Sequence, residues 1–146
     1  MGYTHYWTVS KSEIDGKTWK KISDDIKVII KNSPATLVRE YDNINQPPLI
    51  DGKVVVFNGV GDNGHETFFI SRVNDPLCSF CKTAQKPYDV AVTAILAYLD
   101  SVWPNLYSVA SDGEPDEWQA GVSLAKVALP AQAHAISVPR QVKAYA

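Results

Sequence analysis

Residues 87–103 carry Val90, Val92, Ile95, Leu96, Leu99 and Val102, so a helix here is apolar nearly all round. Such a helix must be buried or laid across a sheet. That commits the chain to a layered fold whose strands come from elsewhere in the sequence. Its polar exceptions, Asp89, Thr93 and Asp100, share one face, so a polar stripe runs down from the helix start. The run at its head, Cys81-Lys82-Thr83-Ala84-Gln85-Lys86-Pro87-Tyr88-Asp89, brings two amines, a thiol, a hydroxyl, a phenol and a carboxylate together. Pro87 suits a first helical turn. These groups then crowd a helix amino end, where free N–H groups and the dipole favour anions. The pattern points to a site.

The strands are legible on both sides of that helix. Residues 3–9 are aromatic and β-branched, and residues 36–41 read as a short strand. The continuous apolar run in 53–58 reads as a central strand, with 66–73 as its hairpin partner and 106–110 as a further strand. Trp19, Ile22, Ile26 and Ile29 recur at helical spacing and predict a helix over 15–31, stopped by Asn32-Ser33-Pro34. Trp118, Val122, Ala125 and Leu129 predict another over 115–129. The order β-α-β-β-β-α-β-α describes an α+β fold, one antiparallel or mixed sheet packed by about three helices. The expected core includes Val54, Val56, Ile95 and Trp118. Residues 1–130 form one domain in this reading, and 131–146, which lack a period, form an irregular tail.

Composition narrows the function classes. The 146 residues are 45% hydrophobic with a net charge of -2, which describes a globular chain and argues against a duplex-DNA binder. No apolar stretch approaches the roughly 18 residues that span a bilayer, and the first residues lack the plan of a signal peptide. A cytoplasmic protein is the expectation. Cys78 and Cys81 form a C-x-x-C pair, and only His5, His65 and His134 could complete a zinc site. Free thiols with no metal or cofactor are the expected state.

Gly59-Val60-Gly61-Asp62-Asn63-Gly64 fits G-x-G-x-x-G, but it leads from strand to strand, so it reads as a hairpin turn with Asn63-Gly64 at positive φ. Such a turn could also lend N–H groups to a ligand. His65, Glu66 and Thr67 follow, with Glu66 on the inward face if Phe68 and Ile70 face the core. Ser111-Asp112-Gly113 closes a strand before a helix, where capping and ligand binding are both served.

The runs Gly2-Tyr3-Thr4-His5-Tyr6-Trp7, Asn58-Gly59 with Glu66-Thr67-Phe68, Cys81-Lys82-Thr83-Ala84 with Lys86-Pro87-Tyr88-Asp89, and Ser111-Asp112-Gly113 extend over about residues 2–128. Together they resemble a family of small uncharacterised proteins of tailed phages and bacterial genomes. The resemblance implies an origin, host cytoplasm as location, and a residue set in which Cys81 ranks above Cys78; it implies no reaction.

The leading expectation is therefore a small phage-type accessory protein with a pocket for a nucleotide-like or phosphate-bearing ligand. Lys82 and Lys86 would neutralise the anion, and Tyr6, Trp7 or Tyr88 would stack on a base. His5, Asn58, Glu66, Thr67, Thr83, Asp89 and Ser111 complete the ligand-binding set. If the ligand is hydrolysed, Cys81 or a water is the nucleophile, His65 or His5 the base, and Asp112 or Glu66 the orienting carboxylate. Two alternatives stand beside it: a non-enzymatic inhibitor of a host protein, and a metal-dependent nuclease using Glu66, Asp89 and Asp112.

Overall fold

Thr4, Tyr6 and Thr8 alternate with the buried His5, Trp7 and Val9, which gives β1 (Thr4–Val9) one wet and one dry face. This is a computed structural model; it describes residues 3–143 and shows an α+β fold. Asp15 starts α1 (Gly16–Lys31) by accepting the Thr18 N–H at 2.9 Å, and Trp19, Ile22, Ile26 and Ile29 form its buried face. The chain then makes β2 (Leu37–Val38), β3 (Leu49–Ile50), β4 (Val54–Gly59), β5 (Phe68–Ser71) and β6 (Cys78–Lys82). Next come α2 (Asp89–Val102), β7 (Tyr107–Ser111), α3 (Gln119–Ala128) and α4 (Arg140–Lys143).

There are two antiparallel sheets where one was expected. Strand β1 is central in the first, in the order β6-β1-β7. In the second, β4 pairs with β2, β3 and β5. Strand β6 is not among the expected strands, because only one of its five residues, Cys81, is buried and its pattern carries no alternation. The strand expected over 36–41 stops at Val38, since the Arg39 N–H turns to Gln46 O. In β4 the inward residues are Val55 and Phe57, with Val54 and Val56 only half buried. A continuous valine run hides which face is which.

Helix α2 is buried along its length, as its composition requires. Helix α3 lies so close to it that a Cβ on Gly121 would strike Thr93 Oγ1 and the Ala94 nitrogen. The polar stripe on α2 is therefore divided among structural duties. Thr93 sits beneath α3, while Asp100 Oδ1 accepts the Val109 N–H at 3.1 Å and pins α2 to β7.

The segment after Leu129 is not an irregular tail. A short 3-10 turn (Pro130–Ala135) and α4 carry Ile136, Val138 and Val142 into the core. Buried carboxylates anchor it: Asp100 Oδ2 accepts the Arg140 N–H at 3.3 Å, and Asp25 Oδ2 accepts Gln132 Nε2 at 3.3 Å and Tyr98 Oη at 2.6 Å.

Candidate functional site

Antiparallel pairing sets Cys81, His5 and Ser111 abreast on neighbouring strands, and paired residues share a face. All three point to the dry side of the sheet, where α2 begins. Asp89, the first residue of α2, brings its carboxylate to the same place. His5 Nε2 lies 2.7 Å from Asp89 Oδ1, and His5 Nδ1 lies 2.7 Å from Ser111 Oγ. Thr83 Oγ1 donates to the same Asp89 oxygen at 2.6 Å, and the Gly113 N–H donates to Ser111 Oγ at 2.9 Å.

The direction of these bonds follows from chemistry. A carboxylate can only accept, so the neutral imidazole carries its proton on Nε2. Nδ1 is then the acceptor, and the Ser111 hydroxyl donates to it. The chain is hydroxyl to imidazole to carboxylate, with the imidazole fully buried and 13% of the Asp89 side chain exposed. This is the polarity that lets a base draw a proton from a hydroxyl.

Two aromatic rings fix the imidazole from its sides. Tyr3 meets it edge-on at 5.1 Å and Trp118 at 4.9 Å. Tyr3 Oη and Trp118 Nε1 are buried with no hydrogen-bond partner among the described residues. Burial, followed by the nearby Asp89 and Glu117 charges, raises the Tyr3 phenol above its usual range and keeps it a donor. A Cβ on Gly113 would collide with the end of the Tyr3 ring, so the phenol packs directly on this glycine. The phenol thus lies against the turn that holds Ser111 Oγ. Neither Tyr3 nor Trp118 was among the expected site residues. Strand alternation places Tyr3 on the His5 face, and that was the available signal.

The approach to Asp89 is strained. The Lys86 N–H bonds Thr83 O at 3.0 Å across a turn whose central residues, Ala84 and Gln85, both have positive φ (52° and 55°). Neither is glycine, and each such residue costs about 1–2 kcal/mol. Strain of this kind collects where a side chain must be aimed. Here the turn delivers Thr83 and Asp89 to the imidazole.

The other expected site residues have different duties. The trio Cys81, His65 and Asp112 does not form. Cys81 is buried, with its thiol 3.5 Å from Glu66 O, and burial pushes it up to about 12. It is a protonated core thiol and no nucleophile. Only the exposed Cys78 should react with an aromatic disulfide reagent at about pH 8. Native protein should titrate one thiol and denatured protein two; two fast thiols in the native state would contradict the burial. His65 is exposed, and Asp112 accepts the Thr4 N–H at 3.1 Å beyond the strand end.

Tyr88 and Trp7 are buried and cannot stack on a base: Tyr88 Oη bonds Glu66 O, and Trp7 packs on Phe68. Tyr6 is exposed on the opposite face. Asn58 is saturated. Its oxygen accepts the Gly59 and His65 N–H groups, and its amide donates to His65 O and Thr67 Oγ1. It ties the glycine loop down. Glu66 is exposed, and its carboxylate takes the Lys82 main-chain N–H at 2.7 Å.

The expected anion cradle does not form either. The Gly61, Asn63 and Gly64 N–H groups are used by Tyr41 O, Val60 O and Gly61 O, and positive φ falls on Gly61 instead of Asn63-Gly64. Helix α2 starts at Asp89, later than Pro87, so the anion at its amino end is the protein's own carboxylate. A cavity of about 430 Å³ does open between Tyr41, the glycine loop, His65, Glu66 and Lys86. None of the residues bonded to His5 lines it. Lys86 shares it with Asp62 and Glu66, a balance that disfavours a free dianion. Among the described residues no group of His, Cys, Asp and Glu is arranged to hold a metal ion, and no helix is long and apolar enough to cross a membrane.

No family model, curated protein or solved structure matches the chain.

Proposed function

We propose that this protein is a small hydrolase of carboxylic or phosphoric esters that works through a covalent intermediate on Ser111. The observation that supports it is the Ser111–His5–Asp89 chain, with both links at 2.7 Å. In this reading the Ser111 oxygen attacks the ester centre as its proton passes to His5 Nδ1. The imidazolium, held by Asp89, then gives that proton to the departing alkoxide. Water repeats the steps to release the acyl or phosphoryl group. In the same reading the Tyr3 hydroxyl, packed on the Gly113 turn, would serve as the donor to negative charge on the reacting centre.

The test is covalent labelling with an alkyl fluorophosphonate, read by intact mass and peptide mapping. One adduct per chain, mapped to Ser111 and absent in Ser111→Ala, is expected. No adduct on a folded wild type would overturn the reading. The alternative, a phage-type interaction protein without turnover, is favoured by the exposed pair Tyr6 and Phe80 and predicts no adduct.

A further inference from the structure

The wet face of the first sheet is open around Tyr6 and Phe80; α4 touches only its β7 edge, where Gln141 Nε2 donates to Ser108 Oγ at 2.6 Å. Lys82, Phe80 and Cys78 lie along β6, Thr4, Tyr6 and Thr8 along β1, and Asp112, Ala110 and Ser108 along β7. Phe80 is 64% exposed and Tyr6 40%, and they are directly paired across the strands. Two large aromatics side by side in water are unusual for a surface that meets nothing.

The arrangement is complementary to itself. A two-fold axis parallel to β1 would lay one such face on another, with β6 of each copy over β7 of its mate. Sheets pack face to face in this way, with strands nearly aligned. Each Lys82 then sits over the mate's Asp112. Each Phe80 sits over the mate's Ala110, large on small, and the two Tyr6 rings meet on the axis. Lys82 has no carboxylate within 4.0 Å in its own chain among the described residues, so its charge is free to pair. A stacked single-stranded nucleic acid would use the same aromatics, but Asp112 cancels Lys82 on this face and the chain carries -2 overall, a poor balance for a polyanion.

We propose that this face is the contact surface for a second copy of this chain, in an isologous dimer built on Tyr6, Phe80 and a reciprocal Lys82–Asp112 pair. Three short strands offer a patch roughly 15 Å on a side. At about 225 Å² per copy it falls well below the roughly 800 Å² per partner of a stable interface, so the contact is weak and forms only at high concentration.

Sedimentation velocity over micromolar to millimolar protein tests it. Wild type should shift from monomer to dimer with rising concentration and lose affinity as salt is raised. Phe80→Ser should remain monomeric at least tenfold higher in concentration. Lys82→Asp alone should weaken the dimer by a similar factor, and Lys82→Asp combined with Asp112→Lys should restore it. Circular dichroism confirms that each variant is folded. A wild type that is monomeric throughout would overturn the proposal. So would a dimer indifferent to Phe80→Ser, or a monomer that binds oligothymidylate through Tyr6 and Phe80. Failure of the swap to rescue a folded double variant would overturn the reciprocal pair.

Discussion

A chain ending after Leu129 should fail to fold. Ile136, Val138 and Val142 retain 1%, 5% and 2% exposure, and burying each such side chain stabilises by about 1.5–3 kcal/mol. The sum is comparable with the roughly 5–15 kcal/mol of a whole domain. The same cut strips Asp100 of the Arg140 N–H and guanidinium, Asp25 of Gln132, and Ser101 of its reciprocal bonds with Ser137. Two carboxylates would then be left in the core with fewer partners, which adds to the loss. Far-UV circular dichroism and a urea titration of the truncated chain are the measurements. A cooperative transition at the full-length midpoint would show that the segment only decorates the domain.

Replacing Asp89 by Asn should slow fluorophosphonate labelling of Ser111 by about 10³–10⁴-fold, the scale seen when an orienting carboxylate is lost elsewhere. Asn offers an amide N–H to Nε2, so the imidazole proton moves to Nδ1. Nδ1 then faces Ser111 as a donor and cannot take its proton. The substitution is nearly isosteric, and Thr83, whose hydroxyl shares that Asp89 oxygen with His5, can turn to accept from the amide, so the fold should persist. Labelling rate and thermal midpoint must be measured on the same sample. A rate that collapses in a stably folded variant places Asp89 in the chemistry. Unchanged labelling would show that the His5–Asp89 bond only holds β1 to α2.

The fold class was legible because two signals were strong. The apolar residues of 87–103 allow one environment only, and the spacing of Trp19, Ile22, Ile26 and Ile29 admits one period. The second sheet was not legible, since whether β4 joins β1 depends on long-range pairing that no local pattern encodes. The C-terminal segment misled for a related reason. Its few apolar residues fill a core already built, so they need no period of their own. His5, Thr83, Asp89 and Ser111 were singled out as candidates, yet their association was hidden because three separate segments contribute them. The nucleophile was sought at Cys81, the intrinsically more reactive side chain. Its burial is set by the neighbouring Glu66 and Tyr88 segments, which no reading of the C-x-x-C spacing could supply.

The central strand of the first sheet precedes both of its partners in the sequence. Its two partners, Cys78–Lys82 and Tyr107–Ser111, are made much later, so during synthesis β1 waits with both edges open. It waits with Trp7 and Val9 unburied as well, and exposed apolar surface beside unpaired strand edges makes a chain prone to aggregate. A chain arrested before Ser111 has no way to close that sheet. Quality control would meet it as an unpaired aromatic strand, so incomplete copies would be cleared or aggregate before they could compete with finished ones.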